Sequence, residues 1–169
     1  LYRIPFNGKS ALKKGETTAE AGIHAMAILR KAVELCRERK NRVMVTAPIN
    51  KRSLSLAGWS KGGHTELLKE LTGARSVETV FCLESLMVFF LTRHLSLKDA
   101  IRSIHRETLV KAIVRMEKYL RTLGISKPRL AVPGLNPHSG EEGLFGNEEE
   151  REIRPAIFEA QEKGIDVKG

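Results

Sequence analysis

Ile23, Met26, Leu29, Val33 and Cys36 recur at the spacing of one helix face, with polar residues filling the gaps. Thr17 or Thr18 stands where a helix cap belongs and Glu20 falls in the first turn, so the pattern predicts a helix running to about Lys40. His24 lies beside the apolar stripe and reads as a boundary residue. Residues 1–15 read as irregular, punctuated by Pro5, Asn7-Gly8 and Gly15. The apolar run at 42–46 predicts a buried strand, 54–57 a short helix, and His64 opens a helix ending near Leu71. Residues 77–83 and 86–92 predict two strands separated by Glu84-Ser85, with 88–91 buried. Leu109, Ile113, Met116 and Leu120 mark one side of a helix over 107–123, stopped by Gly124. A buried strand follows at 129–132, between Pro128 and Pro133. Asn147 is then expected to cap a helix whose acidic start, Glu148-Glu149-Glu150, complements the helix dipole; Pro155 kinks it or begins another, and Gly164 ends it. Such alternation predicts an α/β fold with strand-end loops gathered on one edge of a parallel sheet.

The 169 residues, 41% hydrophobic and 29% charged, suit one folded α/β unit, and no repeat, linker or low-complexity tract divides them. No apolar run approaches the roughly 20 residues of a membrane-spanning helix, so no membrane partner is expected. The opening Leu1, without a methionine, hints at sequence upstream. Cys36 and Cys82 are unclustered and read as small core residues in a reducing cytoplasm. The net charge of +9 raises the prospect of nucleic-acid binding. Its distribution argues otherwise: residues 141–169 hold 4 Lys+Arg against 9 Asp+Glu, while the preceding 140 hold 25 against 11, spread over predicted helices with few aromatics between them. A solvated basic surface and no specific nucleic-acid partner are therefore expected.

Chemistry-bearing residues cluster just past the apolar runs. Thr46-Ala47-Pro48-Ile49-Asn50-Lys51 follows the first predicted strand, and Lys51 could contact an anionic group. Gly62-Gly63 leads into His64-Thr65-Glu66 at a helix start, where free N–H groups favour an oxyanion or phosphate. Arg93-His94 ends another predicted strand. The turn Gly134-Leu135-Asn136-Pro137-His138-Ser139-Gly140-Glu141 has two prolines bracketing its entry and carries a further histidine. His94 and His138 stand 44 positions apart, too far for a local metal signature.

Taken in order, the segment from Thr46 to Lys51, then Gly63-His64-Thr65-Glu66, Thr92-Arg93-His94-Leu95, Pro128-Arg129, the 134–141 turn and Gly143-Leu144-Phe145-Gly146 with Glu148-Glu149 resemble consecutive motifs of the 4-hydroxythreonine-4-phosphate dehydrogenase family. Those are NAD-dependent enzymes of vitamin B6 biosynthesis. The resemblance implies a three-layer α/β fold similar to isocitrate and isopropylmalate dehydrogenases, with a family domain boundary near 45–55 and a homodimer whose active site lies at the subunit interface. It implies that His64 and Thr65 bind substrate, and that His94 and His138 are two of three histidines holding Zn, Co or Mg. NAD or NADP would take the hydride and the resulting keto acid would lose CO₂. No residue is singled out as general acid or base. The family's Gly-Asp-Pro-Ala-Gly-Ile-Gly-Pro motif is expected before residue 1, and its third metal histidine and later Lys, Asn and Arg contacts beyond residue 169. The chain thus resembles the family's central portion, with Arg93 where the family has a second threonine. Two other readings stand beside this one: a dehydrogenase of threonate or erythronate 4-phosphate, and an inactive remnant that only dimerises.

Overall fold

The computed structural model describes residues 4–5, 14–39 and 42–169, and the chain divides into two compact units, Leu1–Glu78 and Thr79–Gly169. The predicted end of the first helix at Lys40 and most of the irregular opening, including Asn7-Gly8, lie outside the described residues.

In the first unit, helix α1 spans Ala19–Arg37, capped by Thr18, whose side chain accepts from the Ala21 N–H at 3.2 Å. Helix α2 (Lys51–Leu56) begins where Asn50 accepts from the Ser53 N–H at 2.9 Å, and α3 (His64–Thr72) ends at left-handed Gly73. The core is Leu29, Leu54, Trp59 and Leu67, edged by Ala25, Met26, Met44, Ile49 and Leu71. Full burial of Leu54 and Leu67 contributes about 1.5–3 kcal/mol each. Leu29 and Val33 are buried and Met26 packs on the core, as the predicted stripe of α1 requires, but the stripe fails at its first position. Ile23 is 56% exposed, and the buried neighbour is Gly22, which lets α1 close on the Ser53 carbonyl of α2 and on Ala57 just past its end. Small size at position 22, rather than hydrophobicity at 23, sets that contact.

Residues 42–49 form no helix or strand, and Val43 and Val45 are 88% and 92% exposed. The predicted buried strand is therefore corrected: Met44 and Ile49 pack against the core, while the four residues between them are exposed.

The second unit opens with an antiparallel hairpin of β1 (Val80–Leu83) and β2 (Leu86–Phe89), joined through Glu84-Ser85 with Glu84 in the left-handed region. Phe81 pairs with Val88 and Leu83 with Leu86, and all four are exposed. The expectation of a buried strand at 88–91 fails for Val88, since no layer covers that face among the described residues. Cys82 is likewise exposed rather than a core residue, and Cys36 is half-buried.

A short helix that the sequence reading missed, α4 (Leu97–Arg102), is capped by Ser96 and leads into α5 (Arg106–Thr122). The N–H of Arg106, in the first turn of α5, donates to Glu152 at 2.6 Å, so a distant carboxylate supports this helix start where His105 makes no side-chain cap. The core joins Leu109, Val110 and Ile113 to Ile153, Ala156, Ile157 and Ala160, with Ile165 and Val167 beneath. β3 (Leu130–Ala131) runs parallel to β4 (Val167–Lys168), bonded through Leu130 N to Asp166 O at 2.9 Å and Val132 N to Lys168 O at 2.7 Å. Leu130 is half-buried and Ala131 exposed, so the predicted buried strand is half covered. Helix α6 (Arg154–Glu162) follows a π-helical turn, Glu149–Ile153, with Pro155 in its first turn, and Gly164 at φ +78° follows its end. The architecture is α/β. The parallel pair of β3 and β4 delivers the chain into the 134–146 turn.

Candidate functional site

In the first unit the site begins with Lys51 at the start of α2. A Cβ on Gly63 would lie 3.0 Å from Lys51 Cε, so the lysine stem crosses the glycine immediately before His64. The fold thus brings Lys51 to the α3 N-terminus, 12 positions away in sequence from Gly63. The intervening loop is anchored by Trp59, which is buried and donates from Nε1 to the Gly62 carbonyl at 3.1 Å. Thr65 is half-buried in the first turn. His64 Nε2 is buried and meets no hydrogen-bond partner among the described residues. An unsatisfied buried ring nitrogen costs on the order of 1–3 kcal/mol, a cost a substrate hydroxyl or oxyanion would relieve.

At the N-terminus of α3, where an anion is expected, one backbone donor is already taken. Glu66 reaches back and accepts from the Gly63 N–H at 2.9 Å, so a carboxylate already occupies part of that end. The sequence signal for this was the glutamate three positions after the cap.

In the second unit His94 follows β2 and His138 sits in the turn Pro137–Gly143; both are exposed. Their backbones share an uncommon feature. His94 has φ +56° and His138 φ +51°, and they are the only two of the five histidines in the left-handed region. Ser139, Glu141 and Glu142 share it, together with Gly140. A left-handed conformation costs a non-glycine residue roughly 1–2 kcal/mol, so this run must be held by its surroundings. The His138 and Phe145 rings lie 6.3 Å apart. Arg93, the chain neighbour of His94, donates to Thr79 Oγ1 at the base of the hairpin.

What holds the turn is Glu149, 3% exposed. One carboxylate oxygen accepts from Leu135 N at 2.8 Å and Asn136 N at 2.6 Å, the other from Asn136 Nδ2 at 2.9 Å. Glu148 accepts from the same amide nitrogen at 2.8 Å. Gly140 permits the fit: a Cβ there would stand 2.7 Å from the Gly146 carbonyl and 3.1 Å from Glu149 Oε2. The acidic run read as a dipole complement is thus, at Glu149, a buried clasp. Its partners lie 13 and 14 positions upstream, and no local pattern announces such a pairing.

Burial opposes the charge on Glu149, but hydrogen bonds from the backbone and amide of Asn136, with those from its own backbone and from Leu135, outweigh it and hold the carboxyl below the usual glutamate range. The Asn136 amide chiefly lowers Glu148 as well. A depressed folded-state value gives stability that is complete above the ordinary glutamate range and is lost as pH falls through the depressed values. The second unit is therefore expected to lose thermal stability progressively below about pH 5, with Glu149→Gln flattening that dependence. A stability–pH curve for Glu149→Gln parallel to that of the unaltered chain would contradict this.

Among the described residues, no three His, Cys, Asp or Glu side chains gather closely enough to hold a metal ion. His94 and His138 supply at most two imidazoles of a ligand set, so the fit to a divalent cation within this chain is partial. No described helix is long and apolar enough to cross a membrane.

The family model described as pyridoxal phosphate biosynthetic protein PdxA matches residues 2–169. A curated relative from Symbiobacterium thermophilum, provisionally named D-threonate 4-phosphate dehydrogenase, is 44% identical over 169 residues, which cover 100% of this chain and 50% of the relative. A crystal structure of 4-hydroxythreonine-4-phosphate dehydrogenase from Klebsiella pneumoniae matches with a TM-score of 0.87 and 38% identity over 98% of this chain and 50% of that one. The corresponding protein from Burkholderia phymatum gives 0.77 and 41%, over 98% and 49%. The chain spans about half the length of the relatives it matches.

Proposed function

Since the chain belongs to the PdxA family of pyridoxal phosphate biosynthetic proteins, we propose that it forms half of a dehydrogenase acting on a four-carbon hydroxy acid phosphorylated at its far end. The observation that carries this reading is the left-handed backbone shared by His94 and His138. A fold that accepts strain at these two histidines and at no other is presenting them for a purpose. In the proposed site both imidazoles face a divalent cation, Zn, Co or Mg, as neutral ligands, with the remaining ligands from the part of the family's length outside this chain. A cation bound there, with NAD or NADP alongside, would supply Lewis-acid and hydride-acceptor chemistry. The chain's own residues do the positioning. Lys51 attracts the phosphate as a point charge, and His64 Nε2 and Thr65 bond the substrate's polar groups.

Two substrates fit this description and differ at C2, where 4-phosphohydroxy-L-threonine carries an amine and threonate 4-phosphate a hydroxyl. In either case hydride leaves C3, the C1 carboxylate departs as CO₂, and a phosphorylated ketone remains; the amine substrate gives 3-amino-2-oxopropyl phosphate, the route to vitamin B6. The curated relatives' names favour the hydroxyl substrate, and those of the solved structures favour the amine. We expect the chain, joined to the family's remaining length, to reduce NAD with one of them at least tenfold faster than with the other. NADH formation with each substrate, Zn, Co or Mg being supplied, measures this. No turnover of either, or of erythronate 4-phosphate, would leave the inactive remnant as the reading.

A homodimer belongs to the same proposal. Phe81, Leu83, Leu86 and Val88 form an exposed apolar face on the β1–β2 hairpin, the kind of surface subunit contacts cover. Sedimentation equilibrium is expected to show a dimer that Phe81→Lys dissociates; a dimer untouched by that change would remove the hairpin from the contact. A cytoplasmic location is also proposed, to be checked by fractionation.

A further inference from the structure

We propose that Glu149 is the positioning residue for His138, fixing the imidazole's place without touching it. The inference rests on the reading of His138 as a cation ligand. Five consecutive residues from His138 to Glu142 are left-handed, four of them not glycine, and such a run does not hold itself. The Glu149 carboxylate lies on the inner side of this loop. It takes the N–H groups of Leu135 and Asn136, the two residues entering the turn, and the Asn136 amide closes on its second oxygen. Gly134 and Gly140 flank the carboxylate, where added Cβ atoms would stand 3.6 Å and 3.1 Å from its oxygens. Both sides of the segment carrying His138 are therefore referenced to one buried group. That group is seated on the π-helical turn Glu149–Ile153, whose Ile153 belongs to the hydrophobic core of this unit. The core's rigidity thus passes to His138 through three hydrogen bonds.

The chemistry of the clasp requires a carboxylate. Three N–H donors converge on two oxygens, and a carboxylate is acceptor-only. A glutamine of the same shape would turn one NH₂ toward the Asn136 amide, donor against donor, or toward the backbone N–H pair. Glu149→Gln therefore tests positioning with little change in packing. Residues that orient a ligand in this way typically govern metal affinity by 10–100-fold.

The experiment measures Co²⁺ affinity by calorimetry for the unaltered chain, His138→Ala, Glu149→Gln and Glu149→Asp, at temperatures where circular dichroism shows each folded. Amide exchange at Leu135 and Asn136 and the His138 ring signals in NMR are followed in the same samples without metal. The expected result is a 10–100-fold weaker Co²⁺ affinity in Glu149→Gln and Glu149→Asp, with faster exchange at both amides and a shifted His138 ring. A brace of purely structural kind would lower the melting temperature and leave the affinity of the folded protein unchanged. That outcome, with both amides and the ring signal as in the unaltered chain, overturns the proposal. If His138→Ala itself leaves Co²⁺ affinity unchanged, the ligand reading falls, and the metal-free signals decide alone. A shifted ring in Glu149→Gln then supports positioning, and an unshifted one overturns it.

Discussion

His138→Ala, made in a protein that joins this chain to the family's remaining length, is expected to lower kcat/KM by on the order of a thousandfold, the scale seen when one preorganised electrostatic contact to a developing charge is removed. The argument starts from the backbone. The fold spends strain to hold His138 at φ +51° and clasps the turn with a buried carboxylate, and such investment matters where a side chain must be presented at a fixed angle. Alanine at that position keeps the turn's hydrogen bonds, because Glu149 grips Leu135 and Asn136 and not the histidine. The loss should therefore fall on activity and cation affinity while thermal stability changes by less than about 1 kcal/mol. His94→Ala should behave alike. The same chain without the remaining length is expected to show no NAD-dependent turnover, since it offers two imidazoles and no cluster of three ligands among its described residues. A His138→Ala enzyme within tenfold of the unaltered rate, with metal supplied, would remove His138 from the chemistry.

Gly22→Ala is expected to destabilise the first unit by about 2 kcal/mol, although alanine is by itself the better helix former by about 1 kcal/mol. A Cβ at this position falls well inside contact distance of the Ser53 carbonyl and 2.9 Å from Ala57 Cβ. Both obstacles belong to the helix α2 segment, and one is backbone, so no side-chain rotation relieves them. Overpacking of this kind costs about 1–3 kcal/mol, and a backbone obstacle puts the cost at the upper end. The helix must then move off α2, whose first residue is Lys51, so the proposed anion contact would shift together with the packing. Thermal unfolding should register a drop of roughly 10 °C for a unit of this size. An unchanged or raised melting temperature would show that α1 and α2 have room the geometry denies.

What the sequence determined by itself is the part that local chemistry controls. Thr18 and Asn50 cap their helices because a side-chain oxygen reaches an N–H three positions on, within a few bonds of itself. Leu109, Ile113 and Leu120 are buried because helical spacing sets them on one face. The ordered motifs around Lys51, His64, His94 and His138 were enough to name a family, since short motifs survive in linear order whatever packs around them. Tertiary structure decided everything that needed a partner from elsewhere in the chain. Val43, Val45 and Val88 look like core in a linear reading, yet burial is a property of what covers a strand, and among the described residues nothing covers them. Ile23 yielded the α1 contact to Gly22 because α2 approaches too closely for any side chain. Glu149 stands in an acidic run that reads as a solvated helix start, and becomes a buried clasp only when β3 and the π-helical turn bring Leu135 and Asn136 to it. Hydrogen bonds across 13 and 14 positions, and the desolvation they offset, depend on distances in space that the order of residues does not contain.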